Sequence, residues 1–294
     1  MRLSDLFSGM TVLTVTGDDN VEITSLTKDS REVRPGCLFF VTESNERFLS
    51  DVAGKGVSAV VSDRYVTEAF PAVVMVSDVT FAMGEVAARF YDNPSEKLHV
   101  TGVTGTNGKT TVTYLIESIL YAGRKNPGII GTIAYRYGGR SFEAKNTTPG
   151  AIELQALLDD MVAGGTDHAV MEVSSHALHQ HRVERIAFDR AVFPNLTHDH
   201  LDYHGSFDRY RDAKAMLFHY YLHESGKKAR YAILNRDDPH VSSFIPGEGV
   251  SSLFFSTTGE ADASLTGMEE SVSGMKLEVI LQGTAVTVQT SLIG

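Results

Sequence analysis

The chain has 294 residues, enough for one large domain or two ordinary ones, and its 42% hydrophobic share is that of a globular protein. A formal net charge of −11 argues against a nucleic-acid partner, and no apolar run approaches the ~18 residues of a membrane span. The single Cys37 excludes an intramolecular disulfide, and the N-terminus lacks an apolar signal segment, so a cytoplasmic monomer with no membrane partner is expected.

In chain order, short β-type runs fall at Val21–Leu26, Cys37–Val41, Ser58–Val61 and Ala72–Val76, and a helical pattern covers Phe81–Tyr91. These predict a small α/β domain over residues 1–95, bounded by the turn at Asp92-Asn-Pro94. In residues 96–294, strands at Leu98–Val103, Gly128–Ile133, His168–Val173, Arg190–Phe193 and Ala229–Leu234 alternate with helices over Thr110–Ala122, Ala151–Ala163 and Phe207–Tyr221. Such alternation predicts an α/β fold with a mostly parallel, doubly wound sheet, whose ligands sit beyond the strand C-termini. After Pro246 the text is β-like, at Lys276–Ile280 and Ala285–Thr290, and it stops at Gly294 with no closing helix.

The densest information lies between Thr101 and Thr111. Strand, glycine-rich turn and helix N-terminus form the context of a phosphate-cradling loop. Gly105, Thr106, Asn107, Gly108 and Thr111 would surround the phosphates, Lys109 would reach the β- and γ-phosphates, and the Thr110 hydroxyl would bind Mg²⁺. One glycine is displaced. The usual G-x-x-x-x-G-K-[ST] pattern puts it at position 103, which is Val103, between Gly102 and Gly105. The helix that follows is expected to bury Val112, Leu115, Ile116, Ile119 and Leu120 and to stop at Gly123.

Further polar groups follow the predicted strands. Glu172 ends one strand, where it is either a Mg²⁺ ligand or a solvated carboxylate. His198, Asp199, His200, Asp202 and His204 cluster after Phe193. Their spacing is not that of a zinc site and suits Mg²⁺ or polar contacts, unless they form a plain surface loop. By residue chemistry alone Lys214 is a solvated helix-face lysine. Arg182 reads as a surface arginine able to clamp a carboxylate, and Thr147 and Thr148 as a helix-capping turn.

Together these segments resemble the Mur ligases, ATP-dependent enzymes that add amino acids to the peptidoglycan precursor. The resemblance is carried by Gly105–Thr110 as a variant phosphate loop and by Asp29-Ser-Arg31 with Pro35-Gly36. It continues through Asn146–Gly150, Glu172–Leu178, Gln180-His-Arg182, Asn195–Gly205 and Asn235–Pro239. It implies that Lys109 and Thr110 hold ATP and Mg²⁺, that Glu172 and His200 are Mg²⁺ ligands, and that Lys214 is carbamylated by CO₂ to support a second Mg²⁺. By the same resemblance Lys109, Lys214 and His200 serve catalysis, while Ser30, Thr147, Thr148, Ser174 and Arg182 hold UDP-MurNAc-L-Ala-D-Glu. Asn235 and Asp238 fall near the nucleotide. The two domains would then be a UDP-sugar-binding domain and a central ATP-binding domain. The implied activity adds a diamino acid, meso-diaminopimelate or otherwise L-lysine, to UDP-N-acetylmuramoyl-L-alanyl-D-glutamate through an acyl phosphate.

The loop Thr42–Phe48 departs from the family's usual Gly/Asp/His-containing uracil loop. The family's C-terminal domain has no counterpart before Gly294, so a truncated ligase, inactive alone, is expected. Another ligase of the family, a folylpolyglutamate synthase-like enzyme and a non-catalytic nucleotide-binding fragment are the alternative readings.

Overall fold

Residues 1–292, described by a computed structural model, build two separate sheets. The first 97 residues contain α1 (Leu3–Leu6), β1 (Thr14–Gly17), β2 (Ser25–Thr27), β3 (Cys37–Phe40), α2 (Leu49–Ala53), β4 (Ala59–Ser62), β5 (Ala72–Met75) and α3 (Val79–Phe90). Their sheet has the order β1-β5-β4-β3-β2, parallel except at the β1–β5 edge. Every residue of β3 is buried. Leu38 and Phe40 join Leu6, Val61, Val74 and Val86 on one face, while Cys37 and Phe39 join Leu49, Val52 and Val60 on the other. Burial on both faces is why β3 and β4 read as unbroken apolar runs rather than alternating ones.

Residues from 98 onward contain β6 (His99–Val103), α4 (Lys109–Ala122), β7 (Pro127–Ile130), β8 (Ala134–Tyr137), β9 (Arg140–Glu143), α5 (Ala151–Ala163), β10 (His168–Glu172) and α6 (Ser175–His179). There follow β11 (Arg190–Phe193), α7 (Leu201–His204), α8 (Phe207–Met216), β12 (Tyr231–Asn235), β13 (Ser251–Ser256), β14 (Ala263–Ser271), β15 (Gly274–Leu281) and β16 (Thr284–Thr290). The sheet order is β16-β15-β14-β13-β12-β11-β6-β10-β7-β8-β9. From β14 to β7 neighbouring strands are parallel, and antiparallel hairpins, β8–β9 and β15–β16, extend the two edges. The chain leaves β6 to one side of the sheet and returns on the other through β11. The loop after β6 therefore opens where the strand order reverses, the usual place for a ligand in such sheets.

A single division after residue 95 does not describe the packing. One compact unit comprises residues 1–97, 149–164 and 179–186, and the other comprises 98–148, 165–178 and 187–294. Helix α5 belongs to the first unit, where Ala151 and Ile152 pack with Val79, Met83 and Val86 of α3. Gln155 Nε2 also donates to Glu184 O, and Arg185 Nε pairs with Glu85 at 2.6 Å.

Helix α4 buries a different face from the expected one. Thr113 and Glu117 are its buried residues, while Leu115 and Ile119 are 41% and 69% exposed. A polar pair docks this helix. Glu117 accepts from the Arg136 guanidinium of β8, which in turn lies over the Tyr114 ring. Among the described residues no helix is long and apolar enough to cross a membrane.

Candidate active site

The displaced glycine is explained by where β6 ends. Val103 is the last residue of the strand and fully buried, so position 103 is sheet rather than turn. Gly102 is small because a Cβ there would stand 2.7 Å from Phe188 Cε1. The turn itself uses Gly105 (φ +140°) and Gly108 (φ +80°), backbone conformations that side chains disfavour. Gly108 is the N-cap of α4, and no side chain caps that end. The amides of residues 108–111 thus converge at a helix N-terminus, which favours an anion.

Two lysines meet at one carbonyl of this loop. Lys109 Nζ donates to Gly105 O and Thr106 O, both at 2.9 Å, and Lys214 Nζ donates to the same Gly105 O at 2.8 Å. Lys214 is 1% exposed, which overturns its reading as a solvated helix-face residue. Its ammonium lies over the Tyr210 ring, 4.7 Å from the centroid, and the Tyr210 hydroxyl is 3.1 Å from Thr106 Oγ1. Burial, and then the charge of Lys109, push the Lys214 amine well below the ordinary lysine range, with Asp199 opposing. Burial also lowers Lys109, against the pull of Glu172 and Asp199.

Opposite the lysines sits Glu172, 1% exposed at the end of β10. Thr110 Oγ1 donates to both its carboxylate oxygens at 2.9 Å, Thr132 N donates to Oε1 at 2.8 Å, and Thr132 Oγ1 donates to Oε2 at 3.2 Å. A Cβ at residue 131 would come within 2.5 Å of Oε1, so Gly131 is what lets the carboxylate lie there. These groups, with Thr147, Ser174 and His200, line a cavity of about 260 Å³. His200 has a left-handed backbone (φ +51°) and a side chain 48% exposed. Its ring is edge-on to that of His176 at 5.0 Å.

Other residues singled out in the sequence hold structure. Thr148 is buried, donates to Glu172 O at 2.9 Å and accepts from Ser174 N at 3.1 Å, so it ties its turn to the end of β10. His204 is buried against Ser175 Oγ at 3.0 Å, and His198 packs at a tilt against Phe207. Asn235 and Asp238 are absent from the lining of the cavity. Their side chains bond the backbone of residues 194–196 instead. Tyr210 and Thr132 escaped sequence reading because nothing marks a tyrosine on a helix or a threonine in a turn as a site residue.

The first unit has its own cavity, about 800 Å³, lined among others by Lys28, Glu43, Arg64, Asp78, Gln180 and Arg182. Arg182 donates through Nε and Nη2 to Gln180 Oε1, at 3.0 and 2.6 Å. Burial raises the Asp78 carboxyl, but donors from Thr80 and Phe81 outweigh it and hold the group below its ordinary value. Ser30 does not line this cavity; its carbonyl accepts from Lys55 Nζ at 2.6 Å. The unusual loop after Val41 is organised by buried Asn45, which donates to Lys28 O and Phe40 O and accepts from Thr42 N.

The donor set of the smaller cavity fits a nucleotide with Mg²⁺. It offers a hydroxyl and one carboxylate, and no cluster of three or more His, Cys, Asp or Glu occurs among the described residues. A Mg²⁺ ion keeps most of its waters and takes one or two protein oxygens plus phosphates, so the set is sufficient for it and poor for zinc.

Comparison with known proteins agrees with this geometry. A family model described as the Mur ligase middle domain matches residues 103–294. A UDP-N-acetylmuramoyl-L-alanyl-D-glutamate–2,6-diaminopimelate ligase of Geobacillus thermodenitrificans is 38% identical over 100% of this chain and 61% of its own length. The ligase of the same name from Geobacter sulfurreducens is 43% identical over 83% of this chain and 49% of its own. A solved structure of a ligase of that name superimposes with a TM-score of 0.87 at 27% identity, covering 100% of this chain and 60% of that one. The fold is also that of a MurF ligase from Thermotoga maritima solved with ADP, at a TM-score of 0.59 and 20% identity. The chain thus spans about six tenths of the length of the Geobacillus relative. Matched along its whole length, with the phosphate loop, Glu172 and buried Lys214 gathered at one cavity, the chain belongs to the Mur ligase family.

Proposed function

We propose that this chain binds ATP with Mg²⁺ in the cavity of its second unit and UDP-N-acetylmuramoyl-L-alanyl-D-glutamate in that of its first. The reaction served is ligation of 2,6-diaminopimelate, the amino acid in the relatives' names. The carrying observation is the convergence of Lys109 and Lys214 on Gly105 O, facing buried Glu172 across a cavity at a helix N-terminus. Two anions, the D-Glu carboxylate and the γ-phosphate, must meet for phosphoryl transfer to give an acyl phosphate. The amine of the diamino acid then displaces phosphate. The protein's share is positioning and charge neutralisation.

Lys109 and the amides of residues 108–111 offset the phosphate charge. Thr110 and Glu172, with His200 at the rim, would hold Mg²⁺, which when bound screens the phosphate oxygens. Burial and the charge of Lys109 lower the Lys214 pKa, which favours the neutral, nucleophilic amine. Addition to CO₂ forms an N–C bond, releases a proton and leaves a carbamate anion beside Lys109. Arg182, oriented by Gln180 through Nε and Nη2, brings positive charge to an anionic group of the precursor.

Calorimetric titration of this chain with ATP·Mg²⁺ and with the UDP-precursor tests the reading, and each is expected to bind at its own site. Absence of nucleotide binding at millimolar concentration would overturn it. Isotope-labelled CO₂ should give a carbamate resonance that disappears in Lys214→Met.

A further inference from the structure

We infer that Asn195 and Asp238 are positioning residues that set the shape of the phosphate loop, Asn195 from within the segment 194–197 and Asp238 by anchoring that segment. On one side this segment is laced to the loop. Thr106 N donates to Asn195 O at 3.0 Å, Thr106 Oγ1 donates to Thr197 O at 3.1 Å, and Thr197 N donates to Thr106 Oγ1 at 2.9 Å. The Asn195 amide closes around Asn107. Its Oδ1 accepts from Asn107 N at 2.9 Å, and its Nδ2 donates to Asn107 O at 3.1 Å.

On the other side the segment is anchored to the end of β12. Leu196 N donates to Asp238 Oδ2 at 2.8 Å, and Asn235 Nδ2 donates to Pro194 O at 2.7 Å. The second oxygen of Asp238 accepts from His240 N at 2.8 Å, and the residue is 8% exposed. Both oxygens of this carboxylate are therefore committed to backbone amides, in bonds stronger than neutral ones. Asp238 touches no atom of the loop in any of these bonds, so whatever it does there passes through 194–197.

The consequence concerns which amides remain for an anion. Those of Thr106 and Asn107 are taken by Asn195, which leaves those of residues 108–111. Asn195 thus fixes the curvature of the loop from outside it, and Asp238 fixes Asn195. A carbonyl that two lysines share, Gly105 O, lies in the same braced turn.

Amide hydrogen exchange on the nucleotide-free chain tests this, for wild type, Asn195→Ala, Asp238→Ala and Asp238→Asn. In Asp238→Ala the Thr106 and Asn107 amides should exchange about tenfold faster, the loss of roughly one hydrogen bond's worth of protection. Amides of β3 and β4 in the first unit should keep wild-type rates. Asp238→Asn retains one acceptor oxygen and should fall between, and it carries the same comparison if the alanine variant does not fold. Unchanged rates at Thr106 and Asn107 in a folded Asp238 variant would overturn the inference, as would an equal rise everywhere, which marks a merely structural residue. A second arm rests on the ligase reading. ATP·Mg²⁺ affinity should fall about tenfold in Asn195→Ala and Asp238→Ala with UDP-precursor affinity unchanged. Faster exchange with undiminished nucleotide affinity would overturn the positioning role. Lack of nucleotide binding by wild type would overturn the ligase reading alone, and exchange then decides the inference.

Discussion

The two cavities of this protein are built on opposite plans. The smaller is organised around one contiguous turn, Thr106–Thr111, which presents backbone amides and whose charged neighbours, Glu172 and Lys214, are buried and hydrogen-bonded. The larger is walled by side chains from segments far apart in sequence, from Lys28 to Arg182. A phosphate is the same in every nucleotide, so a fixed array of amides at a helix end recognises it. A large, varied ligand needs dispersed side chains, and its site can change residue by residue. The loop after Val41, organised by Asn45, is one such dispersed wall.

If the plans are separate, Lys109→Ala should damage one site only. Nucleotide affinity is expected to fall roughly 100-fold, about 2.7 kcal/mol, the loss of a charge-assisted contact. Precursor affinity should stay within about twofold. Calorimetry on the same preparation reads both, and parallel losses would break the comparison.

That asymmetry also decided what could be read before the fold was known. The phosphate loop was legible because its chemistry is local, and the parallel core was legible from the alternation of strands and helices. The burial of Lys214 was not. Its neighbours one turn away, Tyr210 and Phe218, are as apolar as any helix face, but whether a lysine between them points to water depends on Gly105, more than a hundred residues away. Family resemblance, not periodicity, singled it out. The assignment of α5 to the first unit was hidden for the same reason, since it rests on packing against α3, remote in sequence. On α4 the apolar period gave the wrong face, because the pair Glu117–Arg136 fixes the helix through charge rather than through apolar burial.

The plan of the larger cavity is sharpened by Asn45→Ala. Asn45 donates to two carbonyls and accepts one amide in a buried site, so its loss leaves those groups unpaired at ~1–3 kcal/mol. Precursor affinity should weaken about tenfold as the loop at Thr42–Ser44 relaxes, while ATP·Mg²⁺ affinity is unchanged. A loss of nucleotide affinity of the same size would show that the loop supports both sites.

Buried charge in the smaller cavity should be visible in stability against pH. The Lys214 amine has a folded-state pKa below the ordinary 10.5, so between the two values the unfolded chain binds more protons. Stability therefore rises with pH across that window, and the slope ends below the folded pKa, where both states carry the proton. Lys109, lowered to a lesser degree, adds in the same direction. Lys214→Met should flatten the rise without abolishing it. Denaturant midpoints in CO₂-free buffer measure this, taken below the ordinary cysteine value of 9.0 because Cys37 above it, and Tyr210 above 10.0, both raised by burial, oppose the trend. An unaltered slope in Lys214→Met would place the buried proton elsewhere.

The smallest effect is expected where sequence pattern and structure disagree most. Ile119 sits on the stripe that periodicity assigns to the core, and in this chain it is 69% exposed. Ile119→Ser should change stability by no more than ~0.5 kcal/mol, the range of surface substitutions. Glu117→Leu, two residues away in sequence and therefore on the opposing face, removes the partner of a guanidinium whose Nε is already buried without an acceptor. Leaving Arg136 uncompensated there should cost several times as much. Apolar periodicity demands the reverse order, with the serine costly and the leucine favourable. Thermal unfolding of the two variants side by side therefore decides whether charge or hydrophobic burial orients the helix that carries the phosphate loop.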